Sequence, residues 1–153
     1  MGGFSTAFPT SFKGELPQAI HNFSYNTGNL FQLALGKASP TGTYGAATTN
    51  YSNLTGSLDE TTGTGYTVGG FAWTAANNIT PATTGTSAYW SWSVNPSWIN
   101  ATFSASGCII YNSSASNRAV YVGGFSGVMT VTDGTFTVIL PGNSAGTAIL
   151  QLN

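Results

Sequence analysis

Ala88-Tyr89-Trp90-Ser91-Trp92-Ser93-Val94 alternates strictly between two sets of side chains. Trp90, Trp92 and Val94 fall on one side of an extended chain; Tyr89, Ser91 and Ser93 fall on the other. A period of two with one strongly apolar side is the signature of a half-buried β-strand. The same rhythm returns at Phe136, Val138 and Leu140, with Thr135 and Thr137 opposite. Asp133-Gly134 just before that run predicts a tight turn between two strands, and Pro141-Gly142-Asn143 predicts another.

Working outward from Ala88–Val94, further strands are expected at Asn29–Leu35, Tyr66–Thr74, Ile99–Ala105, Gly107–Tyr111, Arg118–Phe125, Thr135–Leu140 and Thr147–Leu152. Seven or eight short strands with turns between them predict an all-β fold. The expected form is a β-sandwich, with jelly-roll connections among the alternatives. The one helical candidate is Ser11–Ser24, where Leu16, Ile20 and Phe23 form an apolar stripe and Asn26-Thr27-Gly28 supplies the stop. Pro17 fits best near its first turn. Residues 1–10 read as an extended N-terminal arm carrying Phe4 and Phe8, which either tuck onto the parent domain or reach a neighbour. Residues 11–153 read as a single domain. The Thr/Gly/Ser-rich stretch Ser39–Gly65 is long for a loop unless it is functional or holds short strands.

Composition narrows function. Only 5% of the 153 residues are charged, against about 25% in an average domain. The charged residues are Lys13, Glu15, Lys37, Asp59, Glu60, Arg118 and Asp133, giving a net charge of −1. Three cations cannot neutralise a row of phosphates or hold an anionic bilayer, so neither nucleic acid nor a membrane is an expected partner. No apolar run is long enough for a membrane-spanning helix, and the N-terminal segment does not read as a secretory signal. A surface this poor in charge opposes association weakly and suits a subunit docked on a repeating assembly. Cys108, the only cysteine, is expected as a small buried apolar residue.

Catalytic chemistry has few candidates. A nucleophilic triad would need His21, the single histidine, for which a surface or helix-capping place is expected. Among the four acids, Asp59 and Glu60 are neighbours in sequence and point opposite ways in an extended chain. With loop carbonyls they are the only candidates for a weak calcium site. Gly63-Thr64-Gly65-Tyr66-Thr67-Val68-Gly69-Gly70 lacks the Lys-Ser/Thr ending of a phosphate loop and reads as a turn entering a strand. Trp90, Trp92 and Trp98 suit core packing, a subunit interface or, if exposed, a sugar-stacking platform. No enzyme activity and no cofactor is expected.

Three ordered segments carry a family resemblance. They are Phe12-Lys13-Gly14-Glu15-Leu16 through Leu35, then Gly63–Gly70, then Gly107-Cys108-Ile109-Ile110-Tyr111-Asn112-Ser113-Ser114 with Asn117-Arg118-Ala119-Val120. In this order they resemble small virion proteins of tailed bacteriophages, similar to head decoration (cement) proteins. The resemblance implies a subunit without catalysis, made in the bacterial cytoplasm and bound to the capsid exterior. Its partners would be the major capsid protein and its own copies, with a trimer favoured. Tail, adaptor or fibre components and a carbohydrate-binding adsorption module are the alternatives. Interface residues are expected in the arm and the Ser39–Gly65 loops: Phe4, Phe8, Tyr44, Tyr51 and Leu54.

Overall fold

The computed structural model describes residues 2–75 and 79–152. The fold is all-β, built on antiparallel sheets with little helix. The central sheet has the order β4-β2-β7-β8, with β2 at Phe31–Lys37, β4 at Phe71–Ala72, β7 at Ser97–Asn112 and β8 at Arg118–Thr137. A second sheet has the order β5-β6-β9, from Ile79–Thr84, Ser87–Trp92 and Leu150–Leu152. A third, parallel pair joins β1 (Gly3–Phe4) to β3 (Thr43–Tyr44). None of the helices among the described residues is long and apolar enough to cross a membrane.

The central sheet is covered on both faces, which explains why β2 is buried along most of its length. On one face Phe31, Leu33, Leu35, Cys108, Ile110 and Val120 pack with Trp73, Ile79, Trp92 and Trp98 in the main core. The Phe31 and Trp92 rings meet edge to face at 5.6 Å and link the central sheet to β6. On the other face Ala34, Ile109, Tyr111, Ala119 and Val122 pack under Tyr44 and Leu54, with Phe4 and Tyr51 at the margin. Cys108 is buried as expected, and burial pushes its thiol up to about 12.

Several expectations need correcting. The helix is shorter: α1 spans Thr10–Glu15, and a single 3₁₀ turn, Leu16–Gln18, follows it. Ala19 then turns left-handed at φ 54°. Pro17 lacks the N–H that a continuing helix needs, and its ring crowds the preceding turn, so the stripe through Ile20 and Phe23 never becomes helical. The strands expected at 99–105 and 107–111 are one continuous strand, β7, and 118–125 joins the first part of 135–140 in β8, which ends at Thr137. Asp133-Gly134 is no hairpin turn. It sits inside β8 at a register shift, where Asp133 takes φ 48° and its N–H donates to Thr102 Oγ1. The same left-handed tolerance that suits Asp-Gly to turns suits it to a bulge. Tyr66–Thr74 shrinks to the two-residue β4. Strand β5 is absent from the expected strands; it carries Pro81 and lies at a sheet edge, where a missing N–H is tolerated. The 39–65 stretch holds β3 and a short helix, α2, at Ser52–Gly56.

Candidate interaction surface

The arm does not project. Gly3 N donates to Gly42 O at 3.0 Å and Ser5 N to Tyr44 O at 2.8 Å. Ala7 and Val122 exchange both backbone bonds at 2.9 Å, and Gly124 N donates to Thr6 Oγ1 at 3.1 Å. The arm therefore runs along the outer edge of β8 as far as Gly124. Phe4 lies over a row of three glycines, Gly36, Gly107 and Gly124, which are cross-strand neighbours on β2, β7 and β8. A Cβ at any of them would overlap Phe4. The Phe4 ring also stacks on Tyr44 at 4.7 Å. Phe8 packs on Phe12 and Tyr121.

Of the expected interface residues, Tyr44 and Leu54 are thus corrected to core positions, at 2% and 0% exposure. Phe4, Phe8 and Tyr51 are half-buried against their own chain, with Tyr51 stacked on Tyr111 at 4.4 Å. Apolar rings beside a glycine trough and a sheet face gain more by folding back than by waiting in water for a partner.

Asp59 and Glu60 do point opposite ways, and each organises a different part of the loop region. Asp59 accepts from Gly42 N at 2.7 Å, Tyr44 Oη at 2.7 Å and Thr41 N at 2.9 Å, and pairs with Lys37 Nζ at 2.9 Å. Burial opposes its ionisation, but these donors outweigh it and hold the carboxyl well below the usual carboxylate range. Burial, then the bond to Asp59, pushes the Tyr44 phenol up to about 12. Glu60 accepts from Tyr51 Oη, from Tyr66 Oη at 2.8 Å and from Gly69 N at 2.7 Å. No group of three or more His, Cys, Asp or Glu side chains placed to hold a metal occurs among the described residues.

His21 is buried rather than at the surface. Asn112 Oδ1 accepts from the backbone N–H of Ser114 and Ala115, so its Nδ2 is the donor to His21 Nδ1 at 3.0 Å. The ring proton therefore sits on Nε2 and goes to Glu15 Oε2 at 2.7 Å; Arg118 holds the other Glu15 oxygen. Both ring nitrogens are occupied, leaving none to activate a hydroxyl. The network fastens the end of α1 to the β7–β8 turn.

The three tryptophans do not share one exposed face, and Trp90 alone reaches a surface groove, beside Phe23, Pro81 and Tyr89. Trp92 and Trp98 are 5% and 7% exposed, and Trp90 is half-buried with Phe23 at 5.3 Å.

What remains open is the outer half of the β7–β8 ribbon. Beyond Gly124 no backbone hydrogen bond from the outer edge of β8 to another segment occurs among the described residues through Thr137. Along that edge the main core opens into a groove of about 470 Å³, lined by Phe125, Met129, Val131, Phe136, Val138 and Ile139 and by the hydroxyl residues Ser126, Thr130, Thr135 and Thr137. Of its apolar lining, Met129 and Ile139 are exposed, Ile139 at 74%. Two hydroxyl pairs join the strands of the ribbon, Ser104–Thr130 at 2.8 Å and Ser97–Thr137 at 3.0 Å, and Thr130 and Thr137 also line the groove. Sequence reasoning missed this surface because the expected strands end at Phe125 and resume at Thr135, whereas β8 runs on between them through register shifts. The usable signal was the proline-free run Val128-Met129-Thr130-Val131, which holds no charge. Compared with known proteins, the chain matches no family model, no curated protein and no solved structure.

Proposed function

We propose that this chain is a non-enzymatic structural subunit that docks on a repeating protein assembly, namely a capsid decoration protein on the exterior of a tailed-phage shell. The observation that carries the proposal is the open flank of β8: an unpaired strand edge beside a groove of mixed apolar and hydroxyl lining, on a chain with a net charge of −1. Exposed edges and apolar grooves are sites where other chains add. The phage shell as the assembly rests on the resemblance of the ordered sequence segments. The two larger sheets packed through Phe31 and Trp92 would form the β-sandwich of such a subunit. The major capsid protein would fill the groove, and many weak contacts on a closed lattice would act together.

Other chemistry is less favoured for positive reasons. Glu15, Asp59, Glu60 and His21 are each committed to internal hydrogen bonds. A glycan platform is less favoured because Trp92 and Trp98 are buried in the core, which leaves Trp90 alone at a surface groove.

Copy number in purified particles, relative to the major capsid protein, tests the proposal. A ratio near one, or a simple fraction set by the lattice, is expected. A few copies per hundred would move the chain to the neck, tail or fibres. Its absence from particles would remove the virion assignment.

A further inference from the structure

The glycine trough is a socket with a removable filling. Gly36, Gly107 and Gly124 contribute no side chains, so the space above them is filled by Phe4. Everything from Gly2 to Ala7 is held by main-chain bonds, by one hydroxyl and by the Phe4 ring. These are contacts that any copy of the same segment would make identically. The arm joins the rest of the chain through Phe8 and Pro9, and Pro9 is extended at φ −52° and ψ 142°. A short proline-containing link between a docked strand and its domain is a natural hinge for exchange.

We infer that the N-terminal arm exchanges between neighbouring copies, with Gly2–Ala7 of one chain lying on β8 and in the Gly36–Gly107–Gly124 trough of the next. In the closed and exchanged forms the bonds are the same, so the balance depends on how concentrated neighbouring sockets are. An arm on a short tether competes at an effective concentration of roughly millimolar. Copies crowded on a surface reach that range, while a dilute chain keeps its own arm. The low charge of the chain leaves little repulsion to hold copies apart. The inference requires only crowding of copies, so it stands or falls separately from the phage assignment.

A pair of full-length variants gives a readout specific to exchange. An ideal Cβ at Gly45 lies 3.4 Å from Ser5 Cβ, at the lower edge of the roughly 3.5–4.5 Å span of disulfides. Ser5→Cys in one chain and Gly45→Cys in another can form a 5–45 disulfide only across two chains. Equal mixtures would be incubated from about 10 μM to ~2 mM, oxidised and mapped by peptide mass spectrometry. The 5–45 interchain link should rise at least tenfold over that range. In parallel, the unaltered chain at the upper concentration should form dimers or longer chains that separate slowly after dilution. If the 5–45 link stays at its dilute level and the unaltered chain remains monomeric throughout, the inference is wrong. Should either variant fail to fold, a chain lacking residues 2–7 decides: oligomers of the unaltered chain that vanish without the arm support exchange, and oligomers that persist without it, or an unaltered chain that stays monomeric, overturn the inference.

Discussion

The two ends of the β7–β8 hairpin are made from the same pair of strands and behave as different materials. Near the turn, Ile109, Ile110, Ala119, Val120 and Val122 are buried, and the arm and loops cover the sheet. At the far end, Ser126–Thr130 is exposed, and the edge of β8 ends in open groove. The near end is specified by small residues that admit a second layer. The far end presents hydroxyls and unfinished core together along its flank. Under the proposed function, burial of the open half would be left to the docking partner.

The largest effect should come from filling the closed half. Gly107→Val places a side chain in the space of Phe4 and should cost at least ~3 kcal/mol in urea denaturation. The same substitution at Gly127, whose Cβ would meet nothing within 4 Å, should change stability by less than about 0.5 kcal/mol. Equal losses at both positions would erase the distinction between the two ends.

Next is the carboxylate that ties the loops to β2. Asp59→Asn should cost about 2 kcal/mol at pH 7, because charged acceptors are lost to buried donors. The folded Asp59 pKa lies below its unfolded value. Its stabilisation is therefore present above the unfolded value of about 4 and is lost as pH falls below it. Urea midpoints of the native chain should drop between about pH 4 and pH 2, and those of Asp59→Asn should drop less.

The smallest effect on folding belongs to the open half. Met129→Lys, at a side chain 39% exposed, should alter stability by less than ~0.5 kcal/mol. It should nonetheless lower retention on purified particles, since an ammonium group would enter the groove on docking. Unchanged retention would place docking elsewhere.

Much of the closed half was legible in sequence. The runs at Tyr89–Trp92 and Phe31–Leu35 are strands as expected, but the expected burial at the first is not found: Tyr89 and Ser91, read as the polar side, are buried, Trp90 is half-buried and Val94 is exposed, because β6 is covered on both faces. The helix at Ser11–Ser24 was overextended because its stripe fitted, while Pro17 and the left-handed Ala19 mattered more. Asp133-Gly134 misled because one backbone preference serves both turns and bulges. Tyr44 and Leu54 looked like surface loop residues because nothing local reveals that Asp59 folds their loop onto the sheet. The Gly36–Gly107–Gly124 row was invisible for the same reason: it joins three strands far apart in sequence.

The most direct test is residue-resolved amide hydrogen exchange along β8, in the purified chain and in the particle that carries it. Free in solution, Ala119–Val122 should exchange slowly and Val128–Thr137 at least tenfold faster; in the particle the outer segment should slow to match the inner one. An outer segment already as protected as the inner one in the free chain, or one that stays fast in the particle, would contradict the assignment of this edge as the docking surface.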